Sequence, residues 1–203
     1  MICNKIITVG RQFGSGGREI AEELSKTLNI PFYDRELLRL AAKDSGVDPS
    51  VFEDVDENLA NSLLYALSVG AYMGNMFGQK TELPVNDKLY LAQHKIIKNI
   101  ADQGPCVIVG RCADYILKDY DNCFKVFFYA DMEHRVERAI RTHNLERSKA
   151  KSVINKMDKS RANYYNYYSS QKWGAMQNYD ISINTGTIPK DKIIKIILSY
   201  VAE

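Results

Sequence analysis

Four glycines lie close together near the start of the chain, in the segment Gly10-Arg11-Gln12-Phe13-Gly14-Ser15-Gly16-Gly17-Arg18. Glycines let backbone N–H groups approach a phosphate, and the positive end of a following helix adds to the binding. The segment therefore predicts a phosphate-binding loop. The usual loop of this kind ends in Gly-Lys-Ser/Thr. Here Gly17 and Arg18 stand where the lysine and the hydroxyl residue are expected.

The arginines of this loop also favour an anion. Arg18 falls in the first turn of the predicted helix, where a cation opposes the helix dipole by ~0.3–1 kcal/mol. An anion bound in the loop would offset that cost. Arg11 is a second cation within the same segment.

A second candidate segment is Val107-Ile108-Val109-Gly110-Arg111, which continues through Cys112 and Ala113 to Asp114. Ligands of open α/β sheets bind at the carboxyl ends of the strands. We therefore expect Arg111 to project toward the same crevice as the glycine loop. The alternative is a solvated arginine that follows a strand.

Asp34 follows another short apolar run and precedes Arg35 and Arg39. One interpretation is that Asp34 orients an acceptor substrate whose phosphate is held by Arg35 or Arg39. The other is that Asp34 caps the helix that begins there.

The basic segment from Asp158 to Tyr168 is a further candidate. On a helix, Asp158, Arg161 and Tyr165 lie close to one face. One hypothesis is a lid that brings Arg161 over transferring phosphates, because arginine stabilises the charge of a phosphoryl-transfer transition state. A solvated basic helix with packed tyrosines is the alternative. Trp173 could stack on a base, but packing is the favoured interpretation.

These residues are connected by elements that alternate between strand and helix. Continuous apolar runs predict strands buried on both faces of a parallel sheet; they are Ile6–Val9, Pro31–Tyr33, Cys106–Val109, Phe124–Tyr129 and Ile181–Asn184. Helices are predicted at 17–28, 34–43, 56–77, 87–103, 112–117, 132–142 and 189–201. Residues 44–86 and 143–172 are too long for simple crossovers. They are predicted to be a helical insertion and a lid-like region.

Composition limits the class of protein. The chain has 203 residues, which is enough for one α/β domain. Its net charge of +2 is too small for the positive electrostatic field that binding to nucleic acid or a membrane surface would require. Four scattered cysteines and the early polar residues Asn4 and Lys5 favour a reduced, cytoplasmic protein without a signal peptide. No metal-ligand cluster is predicted.

The motifs, taken in order, resemble those of the cytidylate kinase-like family, a branch of the nucleoside monophosphate kinases. The resemblance is carried by the segments 7–21, 31–38, 109–111 and 178–185. It implies an α/β, three-layer P-loop kinase-like fold. In this fold a five-stranded parallel sheet is flanked by helices and accompanied by an insertion and a lid.

The resemblance also implies ATP and Mg²⁺ as cofactors, and CMP or dCMP as acceptor. For the nucleotide it implies Gly14, Ser15, Gly16, Gly17 and Arg18, and the pattern of the loop itself adds Gly10, Arg11 and Glu19 as candidates. For the acceptor it implies Asp34, Arg35 and Arg111, and the segments described above add Arg39, Asp114 and Asp158 as candidates. The catalytic candidates are Arg18, Arg111 and Arg161. Ser15 or Glu19 would take the place of the missing hydroxyl residue near Mg²⁺.

Three functional hypotheses remain open. The first is ATP-dependent transfer to a nucleoside monophosphate, the second a non-catalytic nucleotide or phosphate binder that has lost the lysine, and the third a kinase with a different small acceptor. The long apolar segment 56–77 also predicts a homodimer contact.

Overall fold

The structure, a computed structural model, describes residues 3–34 and 85–202 of the chain. The chain forms two compact units, one of Met1–Asp34 with Ile100–Glu203 and the other of Arg35–Asn99. The predicted helices at 34–43 and 56–77, and nearly all of the predicted insertion, lie outside the described residues. The prediction of one domain therefore remains a prediction.

The first unit contains a five-stranded parallel sheet in the order β2-β3-β1-β4-β5. Its strands are β1 (Ile6–Arg11), β2 (Phe32–Tyr33), β3 (Val107–Val109), β4 (Cys123–Tyr129) and β5 (Ile181–Asn184). In the central register, Val9 lies opposite Val109 on one side and Val126 on the other. The carboxyl ends of all five strands therefore meet at one edge, and the predicted five-stranded parallel sheet is confirmed.

Six α-helices occur in the described residues. They are α1 (Gly17–Leu28), α2 (Val85–Asp102), α3 (Ala113–Ile116), α4 (Met132–His143), α5 (Arg147–Ser169) and α6 (Lys190–Val201). Apolar side chains at four-residue spacing bury one face of α1, at Ile20, Leu24 and Leu28. They pack with strand residues and α6 in one core cluster, so the helix that follows the glycine loop is held firmly by the sheet.

A second apolar cluster joins the loop to the two helices that follow β4. Phe13, in the middle of the glycine loop, is buried with Val136 and Ala139 of α4 and with Ile154 and Met157 of α5. The loop therefore packs against both α4 and α5, because the Phe13 side chain is part of the apolar cluster between these helices.

The region predicted to be lid-like contains the 23-residue helix α5. Its sequence has few apolar residues, and the buried positions Ala150, Ile154, Met157, Tyr165 and Ser169 are three to eight residues apart. Such a weak apolar stripe explains why a continuous helix was not predicted over this whole region. In the described part of the chain, no helix has the length and hydropathy to cross a membrane.

Candidate functional site

The glycine loop connects β1 to α1 at the carboxyl edge of the sheet. Gly14 and Gly16 have positive φ values of 76° and 80°, a region that favours glycine, and Gly16 is the N-cap of α1. Within the described residues, the backbone N–H groups of Gly14, Gly16 and Glu19 make no hydrogen bond. Backbone N–H donors at and just before a helix N-terminus are suited to binding a phosphate.

The loop is held in shape by its own polar groups. The Ser15 hydroxyl donates to the Gln12 carbonyl at 2.9 Å and accepts from the Gly17 N–H at 3.3 Å. Thr185, which follows β5, donates to the Ser15 carbonyl at 2.7 Å. The Ser15 hydroxyl is therefore used within the loop, where it fixes the turn.

Gly17, at the position of the expected lysine, is enclosed on its side-chain side. A Cβ atom there would lie 2.8 Å from a ring carbon of Phe128 and 2.9 Å from the Arg11 Cβ. Phe128 is fully buried, so it cannot move aside cheaply. The missing lysine thus has a steric explanation: no side chain fits at this position.

Arg18 turns toward the end of β2. Its Nε donates to the Asp34 carboxylate at 2.8 Å, and its NH1 donates to Glu22 at 3.2 Å. Arg11 approaches the other oxygen of Asp34 at 3.7 Å. Asp34 is buried, so the two arginines compensate its charge.

Asp158 of α5 contacts the glycine loop at Phe13. One of its oxygens accepts from the Phe13 N–H at 2.8 Å, and the other accepts from Arg135 of α4 at 2.5 Å. Arg135 is buried, and its Nε has no hydrogen-bond partner among the residues that the structure describes. Asp158 therefore binds the lid-like helix to the loop through the Phe13 N–H and to α4 through an ion pair largely removed from water.

Two more arginines contact the loop. Arg161 of α5 donates to the Arg11 carbonyl at 3.0 Å and lies over the Phe13 ring, with its Cζ 5.7 Å from the ring centre. Arg138 of α4 lies against Gly16 and forms an ion pair with Glu19. As the helical spacing predicts, Asp158 and Arg161 share the face of α5 that reaches the sheet edge.

The turn after β3 has unusual backbone geometry. Gly110, Arg111 and Cys112 have consecutive positive φ values of 74°, 60° and 55°. This conformation costs free energy for the two residues with side chains, and such strain often lies at functional sites. The positive φ favours glycine at Gly110, and the Arg11 guanidinium lies in the space that a Cβ atom there would fill, 2.1 Å away. Among the described residues, Arg111 makes no hydrogen bond or ion pair.

Asp114 lies behind this turn in a buried polar cluster. Its carboxylate accepts from the Tyr165 hydroxyl of α5 at 2.7 Å. The hydroxyl of Tyr179 is also buried and has no hydrogen-bond partner in the described structure. Burial raises the pKa of Asp114, although the Tyr165 hydroxyl favours its charged form, and burial also raises the pKa of Tyr165.

The structure thus gathers the described candidates at one sheet edge. Arg35 and Arg39 lie outside the described residues. Trp173 packs edge-on against Phe127, with ring centres 5.4 Å apart. Arg138 was expected from the sequence to add positive charge near the lid-like region, together with Arg141 and Arg147. Sequence reasoning missed the role of Arg135, which lies next to Val136 on the apolar face of α4. In the described ranges, no three His, Cys, Asp or Glu side chains form a cluster for a metal ion.

Solved structures with this architecture include proteins of known activity. The chain is similar to an uncharacterized protein from Eubacterium ventriosum, with 29% identity, a TM-score of 0.73 and 97% of each chain covered. A gluconokinase from Sinorhizobium meliloti has 13% identity and a TM-score of 0.56, over 98% of this chain and 92% of that one. A shikimate kinase from Bacteroides thetaiotaomicron has 12% identity and a TM-score of 0.52, over 97% of each chain.

These two kinases establish the fold, which is that of the P-loop kinases. No curated protein matches the chain in sequence. The sequence pattern of one family matches residues 6–187, which include the glycine loop, the Arg111 turn and α5. The chain belongs to the cytidylate kinase-like family.

Proposed function

We propose that this protein transfers the γ-phosphoryl group of ATP to a small phosphorylated acceptor, with CMP or dCMP as the first candidates. The observation that carries the proposal is that two groups suited to binding anions lie at the ends of adjacent strands. One is the loop with three available N–H donors, and the other is the turn that presents Arg111. Family membership supports the kinase class.

In the proposed reaction, an oxygen of the acceptor's phosphate forms a bond to the γ-phosphorus. The bond from that phosphorus to the β,γ-bridging oxygen breaks, and ADP and a nucleoside diphosphate leave. Phosphoryl transfer needs little covalent chemistry from the protein, so positioning and charge stabilisation would provide the rate. Mg²⁺ would neutralise the phosphate charge and, since it is usually held largely by substrate phosphates and water, would enter with ATP.

The residues have distinct proposed roles. The loop amides would hold the ATP phosphates, and Arg111 would hold the acceptor's phosphate. Arg161 lies 3.0 Å from the Arg11 carbonyl, at the junction of β1 and the loop, where it would stabilise the transferring group. Arg18 would fix Asp34 at the acceptor side, since their ion pair at 2.8 Å crosses from α1 to the end of β2.

The test is a coupled assay for ADP with ATP, Mg²⁺ and a panel of acceptors. The panel contains the nucleoside monophosphates together with gluconate and shikimate, which represent acceptors without a phosphate. We expect turnover with CMP or dCMP above all others. Turnover only with an acceptor that lacks a phosphate would refute the proposed role of Arg111 and favour a different kinase activity.

One observation favours a second candidate, a nucleotide binder without transfer. Gly17 has no room for a side chain, so the usual lysine cannot be present in this loop. Calorimetry with a nonhydrolysable ATP analogue separates the two functions. Tight binding without turnover of any acceptor would establish the binder and exclude the kinase.

A further inference from the structure

The enclosed Gly17 leaves the loop without its usual cation, and another element can supply one. In the common loop a lysine contacts the β- and γ-phosphates from within the loop. Here a replacement has to reach the loop from outside, because a side chain at Gly17 would overlap Phe128. The arginines of α1, α4 and α5 are the nearby candidates.

Arg138 of α4 has the required position. The space that a Cβ of Gly16 would fill lies 2.8 Å from both the Cζ and the Nε of Arg138, and 3.0 Å from its NH2. Its guanidinium therefore lies directly against the loop at Gly16, a residue whose N–H makes no hydrogen bond within the described residues. The Arg138 side chain is only 17% exposed, so it is held there by its surroundings.

The partner of Arg138 differs from the partners of the other loop arginines. Arg18 is paired with Asp34, which is 6% exposed, and Arg135 is paired with Asp158, which is 16% exposed. Removing such carboxylates from their arginines would leave charges buried without compensation. Arg138 is paired with Glu19, which is 52% exposed and can be released to water at little cost.

We propose that Arg138 is the phosphate-binding cation of this loop, in place of the missing lysine, and that it exchanges Glu19 for the β- and γ-phosphates of the bound nucleotide. The inference rests on the proposed function only in requiring that the loop binds a triphosphate. A guanidinium can contact two phosphate oxygens at once, which a lysine cannot do. Glu19 would hold the side chain in place while the loop is empty.

The experiment measures the affinity of ATP and of inorganic tripolyphosphate by calorimetry, with and without Mg²⁺. The variants are Arg138→Gln and Arg138→Lys. The matched control is Arg147→Gln, because Arg147 is likewise paired with glutamates but lies exposed on α5, bonded to Glu133 and Glu137. We expect Arg138→Gln to weaken both ligands on the order of 10- to 100-fold. Arg138→Lys should recover part of the loss, and Arg147→Gln should leave the affinity unchanged.

A second pair of variants tests the exchange. Glu19→Gln removes the competing carboxylate and should tighten tripolyphosphate binding several-fold. Glu23→Gln is its control, since Glu23 lies one turn further along α1 and is paired with Lys190. An equal gain in tripolyphosphate affinity in both variants would indicate a long-range effect of charge and would overturn the proposed exchange.

The outcomes separate this inference from the proposed function. Equal affinity of wild type and Arg138→Gln would overturn the role of Arg138 and leave the kinase proposal standing. Loss of affinity that Arg138→Lys does not recover, with a lower unfolding temperature in both, would assign Arg138 a structural role and also overturn it. A wild-type protein that binds neither ligand would overturn both proposals.

Discussion

The glycine loop and the Gly110–Arg111 turn lie at the ends of neighbouring strands, but their arginines differ in whether they form ion pairs with carboxylates. In and around the loop, Arg18, Arg135 and Arg138 each form an ion pair with a carboxylate. In the described residues Arg111 has no such partner, and Asp114 of the same segment accepts a hydrogen bond from Tyr165 instead.

This difference indicates two uses of arginine in one site. The ion pairs around the loop link separate elements, because that of Arg18 joins α1 to the end of β2, that of Arg135 joins α4 to α5, and that of Arg138 joins α4 to α1. Within the described residues Arg111 makes no hydrogen bond or ion pair, and the proposed function assigns its guanidinium to the acceptor's phosphate. The contrast leads to four predictions, two for each region.

The largest effect is expected at the loop, from Asp158→Asn. The change leaves the buried guanidinium of Arg135 without its counter-charge, which should lower the free energy of unfolding by about 3–5 kcal/mol. Urea denaturation measures it, with Asp121→Asn at an exposed carboxyl as the control. A loss below about 1 kcal/mol would mean that the ion pair does not hold the loop and would weaken the contrast between the regions.

A substitution in the Gly110–Arg111 turn should change activity rather than stability. Arg111→Met should lower kcat/KM for the acceptor about 10- to 100-fold, because a charge-assisted hydrogen bond to its phosphate is lost. ATP affinity and the unfolding temperature should change little, since Arg111 makes no hydrogen bond or ion pair in the described structure. Steady-state kinetics on this variant and on Arg147→Met gives the comparison. Equal kinetics of the two would remove Arg111 from the acceptor site.

At the loop again, Gly17→Ala should lower the free energy of unfolding by about 1–3 kcal/mol through overpacking against Phe128. Chemical denaturation alongside Thr27→Ala, an exposed change on the same helix, provides the reference. Gly17→Lys should be destabilised at least as much and should bind tripolyphosphate no better. Restored stability together with tighter binding in Gly17→Lys would show that the loop can hold the usual lysine.

The sequence predicted the sheet and the loop well, since both depend on local pattern. Continuous apolar runs identified all five strands, and the glycine spacing identified the loop before α1. The sequence did not predict which carboxylate each arginine would meet. Asp158 and Arg135 are 23 residues apart on different helices, so their ion pair depends on how α4 and α5 pack, a tertiary feature without a local pattern.

The smallest effect concerns the acid group behind the turn. Burial raises the pKa of Asp114 above its ordinary value of 3.8, so the folded state binds this proton more tightly than the unfolded chain does. The contribution of Asp114 to stability is therefore favourable at low pH, and it is lost as the pH rises from that ordinary value through the raised pKa. At pH values above the raised pKa, the folded wild type is destabilised by the buried, charged carboxylate.

Asp114→Asn removes that titration while it keeps an oxygen that can accept from Tyr165. The difference in unfolding free energy, variant minus wild type, should therefore rise as the pH increases from 4 to 7. Denaturation curves at several pH values measure this change. Hydrogen bonds that the asparagine does not make shift the difference by the same amount at every pH, because the asparagine does not titrate. A flat difference would mean that Asp114 does not carry a pH-dependent cost. The turn would then resemble the loop, where carboxylates are stabilised by the arginines around them.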